Sequence, residues 1–120
     1  MLKDKIKEEK AFLVGVVLRG GGHINIEEQL VELEALANTA GALTVGSSIQ
    51  KRQKPDSSTF IGKGKVETII NQAKELDLHL IIFNDELSPT QLKNIQKRAG
   101  DSIKIMDIAH NLREVYSMFV

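Results

Sequence analysis

The chain has 120 residues, with 16 Lys plus Arg against 16 Asp plus Glu, no Cys, no Trp and 4% aromatic residues. Balanced charge excludes a global pull toward nucleic acid, membrane or acidic substrate, so any such attraction has to be local. The absence of cysteine excludes disulfides, thiolate metal sites and a cysteine nucleophile, and so few rings exclude a broad stacking platform for single-stranded bases. The length suits one compact domain. The mixed-charge opening MLKDKIKEEK and the lack of any apolar run of membrane-spanning length lead us to expect a soluble, cytoplasmic protein with no membrane partner.

Ala11–Leu18 (AFLVGVVL) reads as a first strand. RGGGHIN, Arg19 to Asn25, follows it where a dinucleotide fold would place its pyrophosphate loop. The G-x-G-x-x-G spacing finds Gly20 and Gly22 but then Asn25, and the end of the second strand lacks an acid for a ribose, so the stretch reads as a turn. Ile26, Leu30, Leu33 and Ala37 recur at helical spacing, with Asn25 and Glu28 forming a capping box and Gly41 a left-handed stop. That helix carries Glu27, Glu28, Glu32 and Glu34, a face suited to a protein partner.

A second strand, Ala42–Ile49, leads into a loop from Gln50 to Lys65 that is longer than a parallel sheet needs. The loop holds Lys51, Arg52 and Lys54 at one end and Lys63 and Lys65 at the other, with only Asp56 opposing them. Its exit, TFIGKGKVE, invites comparison with a phosphate loop. However, Thr59 stands where the first glycine belongs, and Val66 follows Gly64-Lys65 where a Ser or Thr would bind Mg²⁺. What remains is two glycines, Gly62 and Gly64, and two ammonium groups at the start of a helix, where free N–H groups and the dipole favour an anion. The alternative is that the glycines shape a turn and the lysines are solvated.

Val66, Ile69, Ile70 and Ala73 mark the second helix, and Leu78–Phe83 the third strand. NDELSPTQ follows, with Ser88, Pro89 and Gln91 as cap, first helical residue and reciprocal partner of a helix through Leu92, Ile95 and Ala99, ended by Gly100. Ile103–Met106 is the fourth strand. Asp85 and Glu86 could hold Mg²⁺ if Asp107 converged on them; otherwise they favour the positive end of the helix that follows. His23, His79 and His110 are scattered and make no zinc site.

The order β-α-β-α-β-α-β predicts an α/β fold, a four-stranded mainly parallel sheet with helices on both faces and strand order 2-1-3-4. Residues 1–107 would form the domain. Residues 108–120 would form a helical tail whose Leu112, Val115, Tyr116 and Phe119 fall on one stripe, docking on the domain or pairing two copies as a homodimer.

Together, AFLVGV, ALANTAGALTVGSSIQKR, KPDSSTFIGKGKVE, LIIFNDELSPTQLKNIQK and IKIMD resemble the N-terminal domain of the HflX-type GTPases over roughly residues 10 to 107. The resemblance implies an RNA-binding accessory domain that contacts ribosomal RNA on the large ribosomal subunit. GTP and Mg would belong to a GTPase domain whose motifs these residues do not contain, so the chain would hold no cofactor and would not be an enzyme by itself. The family continues after the aspartate matching Asp107 with Arg-Thr, whereas Ile108 and Ala109 stand here. On the residues, Lys51, Arg52, Lys54, Lys63 and Lys65 would contact phosphate, and Gly62 and Gly64 would let a backbone approach. The alternative is a nucleotide-phosphate-binding switch or small Mg-dependent enzyme using the Gly-Lys loop with Asp85, Glu86 and Asp107. The lack of a nucleophile or base beside those carboxylates favours the first reading.

Overall fold

The structure, a computed structural model, describes residues 9–20 and 25–108. Strands β1 (Glu9–Leu18), β2 (Ala42–Arg52), β3 (Leu80–Phe83) and β4 (Lys104–Asp107) alternate with helices α1 (Ile26–Thr39), α2 (Lys63–Glu75) and α3 (Pro89–Ala99). Every strand pairing is parallel and the order across the sheet is β2-β1-β3-β4, as expected. The expected tail from Ala109 onward lies outside the described residues, as do His23 and His110.

The near-continuous apolar run of β1 follows from its central place, because a parallel strand is covered on both faces. Ala11 and Leu13 pack with Ile26, Leu30, Leu33 and Ala37 of α1. Phe12, Val14 and Val16 point the other way, into a core shared with Val66, Ile69 and Ile70 of α2 and Ile95 of α3. The sheet therefore separates α1 from α2 and α3. Gly15 permits the close approach of α1, since a Cβ there would lie 2.8 Å from Ile26 Cγ1.

The helix ends match their chemistry. Asn25 Oδ1 accepts from Glu28 N at 3.1 Å, one half of the expected capping box, and α1 ends at Thr39 with Gly41 two residues on at φ 97°. For α3 the capping box is complete: Ser88 Oγ accepts from Gln91 N at 3.1 Å, while Gln91 Oε1 accepts from Ser88 N at 2.9 Å. Gly100 closes it with φ 80°.

The strand limits differ from those read in the sequence. β1 begins at Glu9, β2 runs on to Arg52, β3 starts only at Leu80 and β4 covers Lys104–Asp107. With β2 longer and α2 beginning at Lys63, the suspicious loop shrinks to residues 53–62. The extension of β2 is explained by its edge position, where outward charged side chains reach water while the backbone still pairs with β1 through Leu18↔Arg52. His79 is exposed ahead of β3 rather than within a buried strand. Among the described residues, no helix is long and apolar enough to cross a membrane.

Candidate nucleic-acid interface

The loop joining β2 to α2 is built from its own side chains. Asp56 Oδ1 accepts from the N–H groups of Ser58 and Thr59, each at 2.8 Å. Those bonds to Thr59 and Ser58, with a smaller contribution from Arg52, hold the Asp56 carboxyl below the usual carboxylate range. Asp56 and Phe60 exchange backbone hydrogen bonds at 2.8 and 2.9 Å, closing the turn. From α3, Gln91 Nε2 donates to Asp56 O at 2.7 Å and Asn94 Nδ2 donates to Ser58 O at 2.9 Å, so the loop is tied down on a second side.

Thr59, Phe60 and Ile61 are the anchor of this loop. All three are buried, and the Phe60 ring meets Phe83 edge to face at 6.4 Å and 76°. Phe60 has φ 69°, a strained conformation for a bulky residue, held by the bridge to Asp56 and by burial. Gly62 then turns the chain at φ 90° and ψ 149°, and α2 starts at Lys63. A Cβ on Gly62 would lie 3.1 Å from Arg52 Nη1, whereas one on Gly64 would meet nothing within 4 Å. The Gly-Lys pair thus divides its work: Gly62 makes the turn, and Gly64 leaves the first turn of α2 open. No side chain caps that turn and no acid lies in it.

The five loop cations are not all brought together. Lys51 and Arg52 join Arg19, Val17 and Gln53 around a hollow of about 340 Å³ at the carboxyl ends of β1 and β2. Lys63 lines a separate cleft of about 470 Å³ with Ser58, Thr59, Asn94, Lys97 and Arg98. Lys54 and Lys65 are exposed and line neither. Arg52 is partly committed to structure, since its Nη1 donates to Ile61 O at 2.6 Å and its Nε to Lys54 O at 3.2 Å. Among the described residues, no acidic residue lines either space. On α1, Glu27, Glu28 and Glu32 surround a shallow depression with Asn25 and Val31. A chain of zero net charge therefore carries local groups of one sign.

The carboxylates after β3 do not converge. Asp107 is buried and its Oδ2 accepts from Leu87 N at 2.6 Å, which pins the turn into α3. Burial pushes the Asp85 carboxyl above its ordinary value, and its Oδ2 is buried without a hydrogen-bond partner among the described residues. Glu86 is exposed. Among the described residues, no group of three or more His, Asp or Glu is placed to hold a metal ion.

Arg19, Ser58, Asn94, Lys97 and Arg98 were not among the residues read as a site. A signal for the last three was present, because Asn94, Lys97 and Arg98 stand at i, i+3 and i+4, neighbours on one side of the helix. The buried role of Gln91 carried no signal beyond its place in the cap.

The GTP-binding GTPase N-terminal family matches residues 27–110. The GTPase HflX of Flavobacterium psychrophilum is 37% identical over 115 residues, covering 96% of this chain and 27% of that protein. The GTPase HflX of Alkalihalophilus pseudofirmus is 38% identical over 91 residues, 76% of this chain and 21% of the other, and that of Escherichia coli is 30% identical over 70 residues, 58% and 16%. The chain thus spans about a quarter or less of the length of these relatives. A solved structure, described as a crystal structure of SsGBP and GDP complex, superposes with TM-score 0.67 at 20% identity over 93% of this chain and 30% of that one, which is a likeness of fold.

Proposed function

This chain belongs to the N-terminal domain family of the HflX-type GTPases, and from that premise we propose that it is an RNA-binding accessory domain whose partner is ribosomal RNA on the large ribosomal subunit. The observation that carries the reading is a local excess of cations. Among the described residues, Arg19, Lys51 and Arg52 line one hollow and Lys63, Lys97 and Arg98 another, with no acid in either lining. Lys and Arg contacts to phosphate fix a protein on a nucleic acid without reading its sequence, and they require this kind of local excess. Lys54 and Lys65 are exposed and line neither space. The scarcity of aromatic residues fits backbone contact rather than base stacking.

Hydrolysis of GTP is not part of the proposal. The relatives are named GTPases, but the Gly-Lys stretch of these 120 residues lacks the hydroxyl that a phosphate loop gives to Mg²⁺. A ribosomal partner would have the domain act in the cytoplasm.

The test is co-sedimentation of the purified chain with large and small ribosomal subunits, alongside separate titrations with ATP and GTP. The reading expects retention on the large subunit, no phosphate release from GTP, and nucleotide binding far weaker than RNA binding. Tight nucleotide binding without retention on either subunit would point instead to a nucleotide-phosphate switch built on the Gly-Lys loop.

A further inference from the structure

We infer that the cleft of about 470 Å³ lined by Ser58, Lys63, Asn94, Lys97 and Arg98 is a phosphate-binding site, filled by one phosphate of an RNA backbone. The inference rests on the proposed function only for the source of the phosphate; the site itself is argued from its walls.

Two stretches about thirty residues apart in sequence, residues 58–63 and 94–98, supply those walls. The first turn of α2 gives Lys63, the outer face of α3 gives Asn94, Lys97 and Arg98, and the turn between β2 and α2 gives Ser58. Asn94 fixes the junction, with its Nδ2 donating to Ser58 O at 2.9 Å and Ser58 Oγ at 3.1 Å. Because Ser58 Oγ accepts there, its own proton is left to donate. Arg98 spends Nη1 on Glu67 Oε1 at 2.9 Å, and the rest of its donor fork remains for an anion. Three cations against that one carboxylate leave the cleft positive.

A plainer role exists for two of them, since cations in the last turn of α3 favour its negative end. That role does not account for Lys63, which sits on another helix and lines the same cleft. Among the described residues, the lining holds neither an aromatic ring to stack a base nor an acid to take a ribose hydroxyl. A nucleotide would be recognised by its phosphate alone, so a phosphate within a polymer, which gains further contacts along the chain, is the fitting ligand.

The experiment follows backbone amides by NMR while the full chain is titrated with a short ribosomal RNA fragment, with pyrophosphate and with GTP. It is run on wild type, Lys97→Ala/Arg98→Ala, Lys63→Ala and Lys93→Ala. Lys93 is exposed on α3 outside the cleft and controls for general loss of charge. RNA is expected to shift the amides of Ser58, Lys63, Lys97 and Arg98. Both cleft variants should lose the equivalent of one phosphate contact, about a threefold smaller loss of affinity over a fourfold rise in salt. Lys93→Ala should change that ratio much less.

RNA binding that is unchanged in the cleft variants, or reduced equally by Lys93→Ala, overturns the site and leaves the proposed function standing. Cleft shifts with pyrophosphate or GTP but no RNA binding would uphold the phosphate site and overturn the proposed function. If no phosphate source moves these amides, the site is refuted.

Discussion

The two glycines of the Gly-Lys stretch should respond in opposite directions to the same substitution. Gly62 sits at φ 90° and ψ 149°, a region closed to side chains, so Gly62→Ala incurs strain of about 1–3 kcal/mol. The new methyl would also press on Arg52 Nη1 at 3.1 Å, and that nitrogen holds Ile61 O at 2.6 Å. Weakening a charged hydrogen bond of this kind adds about 1 kcal/mol or more. The total is about 2–4 kcal/mol, which in a domain of this size lowers the thermal midpoint by roughly 10–25 °C. Gly64 lies inside α2 with nothing within 4 Å of a built Cβ, so Gly64→Ala should stabilise by about 0.5–1 kcal/mol through better helix propensity. Urea and thermal unfolding followed by circular dichroism measure both. Equal losses at the two positions, or a neutral Gly62→Ala, would refute the assignment of the turn to Gly62. If the open first turn of α2 receives an RNA backbone, Gly64→Ala should weaken RNA binding even as it raises stability.

Three further outcomes follow from the polar groups around this loop. Gln91→Ala breaks both the α3 capping box and the tie to Asp56 O, and should cost about 1–3 kcal/mol in urea unfolding, with no change meaning that water replaces both bonds. Asp85 binds its proton more tightly when folded than unfolded, so wild-type stability falls as pH rises from the ordinary carboxylate value through the raised one. Asp85→Asn should therefore be more stable than wild type at neutral pH, with the gap closing as pH falls into the usual carboxylate range; a gap independent of pH would contradict this. Asp56 has the opposite sign, because its depressed value gives stability that is present at neutral pH and lost as pH falls through the folded value. Asp56→Ala should be less stable than wild type at neutral pH and approach it in acid.

Much of the architecture was legible because local and long-range signals agreed. The inward residues of α1 and α2, Ile26, Leu30, Leu33, Ala37 and then Val66, Ile69, Ile70, Ala73, are the ones that helical spacing selects. The caps at Asn25 and Ser88 act where their hydrogen-bonding capacity predicts. Legibility failed where a polar residue serves the fold. The end of β2 reads as loop because Gln50, Lys51 and Arg52 are polar, yet an edge strand can show such residues to water while pairing on its other side. Asp107 reads only as a conditional third carboxylate for Asp85 and Glu86, and its work for the fold shows when the buried N–H of Leu87 is seen against it. The cation set was half legible, since proximity in sequence groups Lys63 with Lys65, but the 100° step of a helix sends neighbours two apart to different sides. Folding instead groups Lys63 with Lys97 and Arg98 across a cleft.

The central claim is that the two basic spaces, rather than net charge, bind RNA. It is tested most directly by the slope of log affinity against log salt for a large-subunit ribosomal RNA fragment. Wild type should be compared with Lys51→Ala/Lys63→Ala, which removes one cation from each space, and with Glu27→Gln/Glu32→Gln on α1, which changes net charge by the same amount in the other direction. The account predicts that the lysine variant loses about 1.4–1.8 from the magnitude of the slope, two phosphate contacts at about 0.7–0.9 each, while the glutamate variant keeps the wild-type slope. A lysine variant with an unaltered slope, or two variants whose slopes shift by equal and opposite amounts, would contradict it.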